Sequence, residues 1–240
     1  MRENCEQKNR NKKVAVGNSE KVSDEDILFE IGSIGAGHAT VALSTMLHEQ
    51  VNVEVPRLHT EPPHLVPRIY AKHDTAVAAV FMQLRGKADC DIMLLFEAEE
   101  AKKIAELMTR GIDADQEMEA SAIEELGSIM ICSFLNAMAN FTSTELLPTP
   151  PQLIYDAFDA VIDGLLAKQA LCSDLAAIFD ARFKRSTSSA EGYLIMFPGR
   201  ELQKMMTDKG KKWLNNSSRK KTMDDLAVGL SAAGRAQVLS

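Results

Sequence analysis

The chain has 240 residues, of which 45% are hydrophobic, so it is long enough to bury one sizeable core or two small ones. Its net charge of -7 argues against a nucleic acid or an anionic membrane as partner and suits a protein surface rich in lysine or arginine. The four cysteines are far apart and form no CxxC pair, so neither a disulfide scaffold nor a metal site is indicated, and no cofactor is expected. Because we find no signal-peptide segment and no apolar run of about 18 residues, we expect a soluble, cytoplasmic protein.

The two ends of the chain differ from its middle. Residues 1–22 are polar without apolar periodicity, which predicts a loosely attached N-terminal tail. Residues 213–240 begin with a linker-like NNSSRKKT stretch, and a short amphipathic helix is expected to start at a Thr222 cap. Residues 23–212 are therefore expected to form a single domain.

This middle region contains an internal duplication. The first copy, DILFEIGSIGAGHATVALSTML, starts at Asp26, and the second, SAIEELGSIMICSFLNAMANFT, starts at Ser121. Each copy has a glutamate three residues before a serine and a proline 23 residues after that serine, and the offset between copies is 95 residues. The matched residues are Asp26, Glu30, Ser33 and Pro56, then Ser121, Glu125, Ser128 and Pro151. We place repeat one at 23–112 and repeat two at 118–210.

Both copies have the periodicity of amphipathic helices. One stripe contains Asp26, Glu30, Ser33, Gly37, Thr40 and Ser44 in the first copy, and Ser121, Glu125, Ser128 and Cys132 in the second. Each glutamate therefore faces outward, with its serine one turn away. A solvated polar face is the simpler interpretation of a single copy, but the identical spacing of two copies favours a function.

Glycines inside the first helix need a physical reason, because each costs about 1 kcal/mol relative to alanine. Gly32 and Gly35 point to the apolar side and predict close packing, which Gly127 repeats. Gly37 lies beside Glu30 instead, where a missing side chain leaves room for a partner's backbone. A nucleotide-binding loop is the rival interpretation of GSIGAG, but the glycine order is wrong and no buried strand leads into it.

Downstream, each copy continues into two apolar strands and a helix. TAVAAVFMQL and DIMLLFEAEEAKKIAELMTRG follow the first helix, and DLAAIFDARF and GYLIMFPGRELQKMMTDKG follow the second. Gly111 and Gly210 are expected to cap the closing helices, and Ser186–Ala190 is expected to form a hairpin turn. The predicted fold is α/β (α+β layered), with two pseudo-twofold-related helix–strand–strand–helix repeats sharing one continuous mixed β-sheet.

This sequence resembles the CheC / CheX / FliY family of CheY-P phosphatases. The signature of that family is Asp or Ser, three residues, Glu, two residues, Asn, twenty-two residues and Pro. The resemblance covers roughly residues 23–210, and the two-copy layout is most similar to CheC. Both copies match at every position but one, since Ser33 and Ser128 stand where the family has Asn.

The resemblance implies the roles of these residues. The glutamates would hold a lysine of phosphorylated CheY near its acyl phosphate, and the Asn amide would orient the attacking water. A serine hydroxyl is shorter than a carboxamide, and a misplacement of about 1 Å can cost on the order of 10²-fold in rate. Glu30, Ser33, Glu125 and Ser128 are therefore the candidate catalytic residues, with Asp26, Gly37 and Ser121 as candidate partner contacts.

Other polar residues are weaker candidates. Asn136 and Asn140 lie too far along the helix from Glu125 to replace the missing amide. His38 stands where the family often has Asn, but it is off the stripe of Glu30 and is more often a structural residue in such a position. The loop histidines His59, His64 and His73 are expected to be solvated.

Four hypotheses stay open at this point. The chain is a CheY-docking protein with weakened phosphatase activity, a fully active phosphatase, or a non-catalytic partner of CheY or of the receptor deamidase CheD. An unrelated scaffold with a purely structural duplication is the fourth.

Overall fold

The computed structural model describes residues 22–70, 74–86, 88–110, 114–170, 176–188 and 191–216. The expected tail up to residue 21 and the expected helix after Thr222 lie outside the described residues. The last described helix runs to Asn216, four residues beyond the domain limit expected from the sequence.

The elements follow the chain in this order: α1 (Asp24–Leu47), β1 (Val51–Val53), β2 (Arg57–Glu61), a 3-10 turn (Pro63–Leu65), α2 (Pro67–Tyr70), β3 (Ala76–Leu84), β4 (Cys90–Glu97), α3 (Ala98–Met108), α4 (Gln116–Thr142), β5 (Gln152–Ala157), α5 (Phe158–Ala170), β6 (Ala176–Arg185), β7 (Glu191–Pro198) and α6 (Arg200–Asn216). Both predicted helix–strand–strand–helix repeats are present, and the chain turns between β6 and β7 where the hairpin was predicted.

One sheet of seven strands joins the two repeats, as predicted. Its order is β1-β6-β7-β4-β3-β5, with β2 also paired to β6. The central strands β4 and β7 come from different repeats and pair with Leu94 opposite Leu194. Each repeat also places an edge strand on the other: β2 pairs with β6, and β5 with β3. All these pairings are antiparallel, so the mixed sheet expected from the sequence is corrected to an antiparallel one.

Helices cover both faces of the sheet and create two cores. Residues alternate along β3 and β6, so that Val80 and Phe179 belong to the core under α1 and α4, while Ala79 and Ile178 face the opposite core. The second core is closed by α5, with Phe158 and Ile162 fully buried. Helix α5 was not predicted from the sequence, although its buried residues recur at helical spacing.

Glycines let the helices approach their neighbours closely, as predicted. A Cβ added at Gly32 would overlap the ring of Phe179, and one added at Gly127 would overlap the side chain of Val80. At Gly35 an added Cβ would lie 2.6 Å from Cδ2 of Phe134. These contacts set the distances from α1 to the sheet and to α4.

The predicted helix caps at Gly111 and Gly210 have different outcomes. Gly210 lies inside α6 rather than at its end, where an added Cβ would overlap Ile27 of α1. Gly111 lies outside the described residues, but the preceding Arg110 already has a left-handed φ of 53°. The glycine in α6 therefore serves close helix packing instead of chain reversal.

A buried ion-pair network connects the two repeats on the side of the sheet near β1. Arg185 of β6 donates to Glu49, with Nε 2.9 Å from Oε2, and to Glu100 of α3, with Nη1 2.7 Å from Oε1. Thr187 and Ser188 of the hairpin donate to the same two carboxylates. Arg185 hydrogen bonds lower the pKa of Glu49, so this carboxylate stays charged at neutral pH.

Two helices, α1 and α4, are long and apolar enough to cross a membrane by length and composition alone. Neither helix is an unbroken apolar run, since Glu30 and Ser33 interrupt α1 and Glu125 and Ser128 interrupt α4. Half of each apolar window is buried inside the domain, where α1 and α4 pack against each other and against the sheet. Core packing is a sufficient reason for their apolar character.

Gly32→Ala should destabilise the fold by about 1–3 kcal/mol, because the new methyl group overlaps Phe179 in a closed core. Gly164→Ala in α5 is the matched control: nothing lies within 4 Å of its added Cβ, and a gain of about 0.5–1 kcal/mol is expected. Urea unfolding followed by circular dichroism measures both. Equal stability of the Gly32 variant and the wild type would show that the contact between Gly32 and Phe179 does not limit the free energy of unfolding.

Candidate functional site

The two motif helices end at equivalent positions but begin differently. α1 ends before His48 and α4 before Ser143, both with left-handed φ, so the offset of 95 residues holds at the C-termini. At the N-termini, Ser23 caps α1 and Asp115 caps α4, which starts three residues earlier relative to the motif. The motif residues therefore occupy matched positions on the two helices.

The outer face of α1, called here the first face, consists of Asp26, Glu30, Ser33 and Gly37. Glu30 is exposed, as predicted, and Ser33 and Gly37 are half-buried. Within the described part of the chain, Glu30 makes no hydrogen bond or ion pair. This carboxylate is available to a cation from outside.

Asp26 has a structural partner of its own. Its carboxylate accepts hydrogen bonds from the hydroxyl and the backbone N–H of Ser23, at 2.7 and 2.8 Å, which completes a capping box at the start of α1. These hydrogen bonds lower the pKa of Asp26. Asp26 is thus a capping residue, whereas its counterpart Ser121 lies exposed within α4, beyond the first turn.

Ser33 is committed to its own helix. Its Oγ donates a hydrogen bond of 2.8 Å to the carbonyl oxygen of Phe29, one turn earlier. The hydroxyl proton therefore points back along α1 and away from the outer end of the Glu30 side chain. The lone pairs of Oγ stay available as acceptors.

The outer face of α4, called here the second face, consists of Ser121, Glu125, Ser128 and Cys132. Glu125 is exposed and Ser128 is half-buried, which matches the first face. Burial raises the pKa of the Cys132 thiol, a hydrogen bond from Ser128 opposes this effect, and the charge of Glu125 adds to it. The ionisation of this thiol is therefore sensitive to both motif residues of the second face.

The motif prolines have matching positions at the two sheet edges. Pro56 directly precedes β2 and Pro151 directly precedes β5. Each of these strands pairs with a neighbour on one side only. A proline at the start of such an edge strand costs no ladder hydrogen bond. The prolines belong to the entry of the edge strands and not to the helix faces.

A cavity of about 360 Å³ lies between α3, α4 and β5 and is separate from both faces. Ala101, Ala105, Ile123 and Tyr155 are among its lining residues, whereas Glu125 and Ser128 do not contact it. This cavity is therefore not part of either face. The exposed glutamates of the two faces fit contact with a macromolecule.

The histidine predictions need one correction. His59 lies in β2 rather than in a solvated loop, and its Nε2 is buried 3.6 Å from Oδ1 of Asp180. Burial raises the pKa of Asp180, while His59 and two arginines oppose that effect. His64 is exposed, as expected, and His73 lies outside the described residues. Within the motif helices, His38 is exposed on α1, and Asn136 and Asn140 are exposed on α4.

Comparison with known proteins supports the resemblance stated from the sequence. A model of the CheC-like family matches residues 118–155, which include the second motif from Ser121 to Pro151. The CheY-P phosphatase CheC of Bacillus subtilis is 27% identical over 193 residues, which are 77% of this chain and 92% of that protein.

Two solved structures resemble the fold. FliY of Thermotoga maritima matches with a TM-score of 0.62 at 19% identity, over 79% of this chain and 96% of that one. The middle domain of FliM from H. pylori matches with a TM-score of 0.52 at 9% identity, over 78% and 99%. The family resemblance and the layered α/β fold are thereby confirmed, and at these identities the structural matches concern the fold alone.

The chemistry of the second face predicts how fast Cys132 reacts. Alkylation by iodoacetamide needs the thiolate, so the raised pKa should make Cys132 react slowly at pH 8. Glu125→Gln removes a neighbouring negative charge and should accelerate alkylation, whereas Ser128→Ala removes a hydrogen bond to the thiolate and should slow it. Mass spectrometry of the Cys132 peptide gives the rates, and opposite signs would contradict the described contacts.

Proposed function

We propose that this chain, which resembles the CheC, CheX and FliY proteins in sequence and fold, docks on the phosphorylated response regulator CheY through the first and second faces. The observation that carries the proposal is the duplicated pair of an exposed glutamate and a half-buried serine on matched positions of α1 and α4. The named activity of the Bacillus subtilis relative supports CheY as the partner. The cytoplasm, where CheY acts, is the compartment that this proposal requires.

The charge of each face suits a lysine of the partner. Glu30 and Glu125 are exposed and make no ion pair within the described residues, so an incoming ammonium group does not have to displace an internal partner. A fully exposed ion pair contributes only about 0–1 kcal/mol, but a pair that the docked partner covers contributes more, because removing one charge leaves the other buried and unpaired. The glutamate orients a larger contact between helix face and partner.

Hydrolysis at these faces should be slow. An aspartyl phosphate is already reactive, so a phosphatase contributes mainly by positioning the attacking water. Ser33 donates its hydroxyl proton to its own helix, and Ser128 is half-buried one turn before the thiol of Cys132. Neither hydroxyl has the reach of the carboxamide found in the family at this position. We therefore propose recognition of CheY-P with weak catalysis, and a role with the deamidase CheD stays a prediction of the sequence resemblance.

Docking is tested with the double variant Glu30→Gln, Glu125→Gln, which removes both charges and preserves side-chain size. Its affinity for CheY activated with beryllofluoride and Mg²⁺, measured by isothermal titration calorimetry, should fall by about tenfold or more. The control is the exposed α3 pair Glu99→Gln, Glu106→Gln, which lies off both faces and should bind like the wild type. Unchanged affinity of the first variant would reject the helix faces as the docking site.

Catalysis is tested by the decay of radiolabelled acyl phosphate on CheY. The wild type should accelerate decay little, and Ser33→Asn combined with Ser128→Asn should accelerate it by on the order of 10²-fold, because the amide restores an arm that reaches the water. Each single variant should give part of this gain. A wild type as fast as the double variant would show a fully active phosphatase and reject the proposal of weak catalysis.

A further inference from the structure

We infer that the first and second faces are unequal docking sites, and that Gly37 makes the first face bind activated CheY more tightly than the second, where Cys132 occupies the same position. The inference rests on the proposed function. It adds a specificity-determining position that the motif of glutamate, serine and proline does not include.

The two positions are structurally equivalent. Gly37 lies one turn beyond Ser33 on α1, and Cys132 lies one turn beyond Ser128 on α4, with the same offset of 95 residues as the motif. Both are half-buried, at the border between the outer face and the core. A glycine there lets a partner's backbone approach the helix directly, whereas a thiol side chain keeps it away.

The surroundings of the two motif serines also favour closer approach of a partner on the first face. The hydroxyl of Ser33 donates to the carbonyl oxygen of Phe29 and is therefore bound within the helix backbone. On α4 the half-buried thiol of Cys132 stands on the face itself, one turn beyond Ser128. A partner that docks on the second face has to displace this thiol or stay further from Glu125. On the first face Gly37 has no side chain at the equivalent position.

The next turn of each helix adds to the difference. Val41 of α1 is 45% exposed, and the equivalent position of α4 carries the polar Asn136, also exposed. Ile34 and Ile129 are half-buried at equivalent positions, so both faces share this apolar contact. The first face thus continues into exposed apolar surface, which gains free energy when a partner covers it, and the second face continues into an amide that has to be desolvated.

Calorimetric titration of the full chain with beryllofluoride-activated CheY separates the two sites. Glu125→Gln should leave the tighter site, and Glu30→Gln should leave one that is weaker by about tenfold. On the Glu125→Gln background, Gly37→Cys should weaken binding by about the same factor. On the Glu30→Gln background, Cys132→Gly should strengthen it, and Cys132→Ala should do so partly without adding a helix glycine.

Gly164→Cys on α5 is the matched control, since it makes the same substitution in a helix on the opposite face of the sheet, where nothing lies within 4 Å. It should leave both affinities unchanged, and circular dichroism should show that all variants fold. Equal affinities of the two single-site variants, or an unchanged first site in Gly37→Cys, would overturn this inference while docking itself stands. Binding that persists in the double Glu variant would instead reject the proposed function.

Discussion

The close contact between the motif helices and the sheet is the constraint on which the rest of the structure depends. Gly32 of α1 lies against the ring of Phe179, and Gly127 of α4 lies against Val80, so at these positions the helix backbone packs directly on a strand side chain. At this distance the inner side of each helix is fully occupied by the core. The acidic and hydroxyl side chains of the motif then have only the solvent side available, which is where Glu30 and Glu125 are found.

The contact between α1 and α4 differs from the contact of these helices with the sheet. Small residues on α1 face large residues on α4. Gly35 of α1 receives the ring of Phe134, and the equivalents of these two residues in the opposite repeats are Met130 and Ala39, all buried. The duplicated helices therefore divide the available volume unequally instead of repeating one side chain.

The duplication and its helical spacing made much of the structure predictable. Two copies with the same offset located both motif helices, both strand pairs and the outward direction of Glu30 and Glu125 without any three-dimensional information. α5 was missed because the corresponding part of the first repeat is only a 3-10 turn and the short helix α2, so the comparison of copies does not show it. His59 was misplaced because its burial depends on the pairing of β2 with a distant strand.

The side-chain contacts of the site could not be predicted in the same way. The bond from Ser33 to the carbonyl of Phe29 depends on one rotamer among several that the sequence allows. The contact between Ser128 and Cys132 is compatible with helical spacing, yet the spacing alone assigns the thiol only to a face. The sequence thus predicted which residues come together, and the structure was needed to show which of their polar atoms are already occupied.

Comparing the glycines of the two repeats distinguishes positions that the packing requires from positions that fit the proposed recognition of a partner. Gly32 and Gly127 agree because each helix meets a strand at that position, and a side chain would overlap it in both repeats. Gly35 has no glycine counterpart, but there the difference is balanced by the opposite helix. Gly37 also has none, and the replacement Cys132 interacts with the motif residues Ser128 and Glu125 on its own helix. A glycine that the fold does not require in both repeats, on the same stripe as the glutamate, is best accounted for by what approaches the helix from outside.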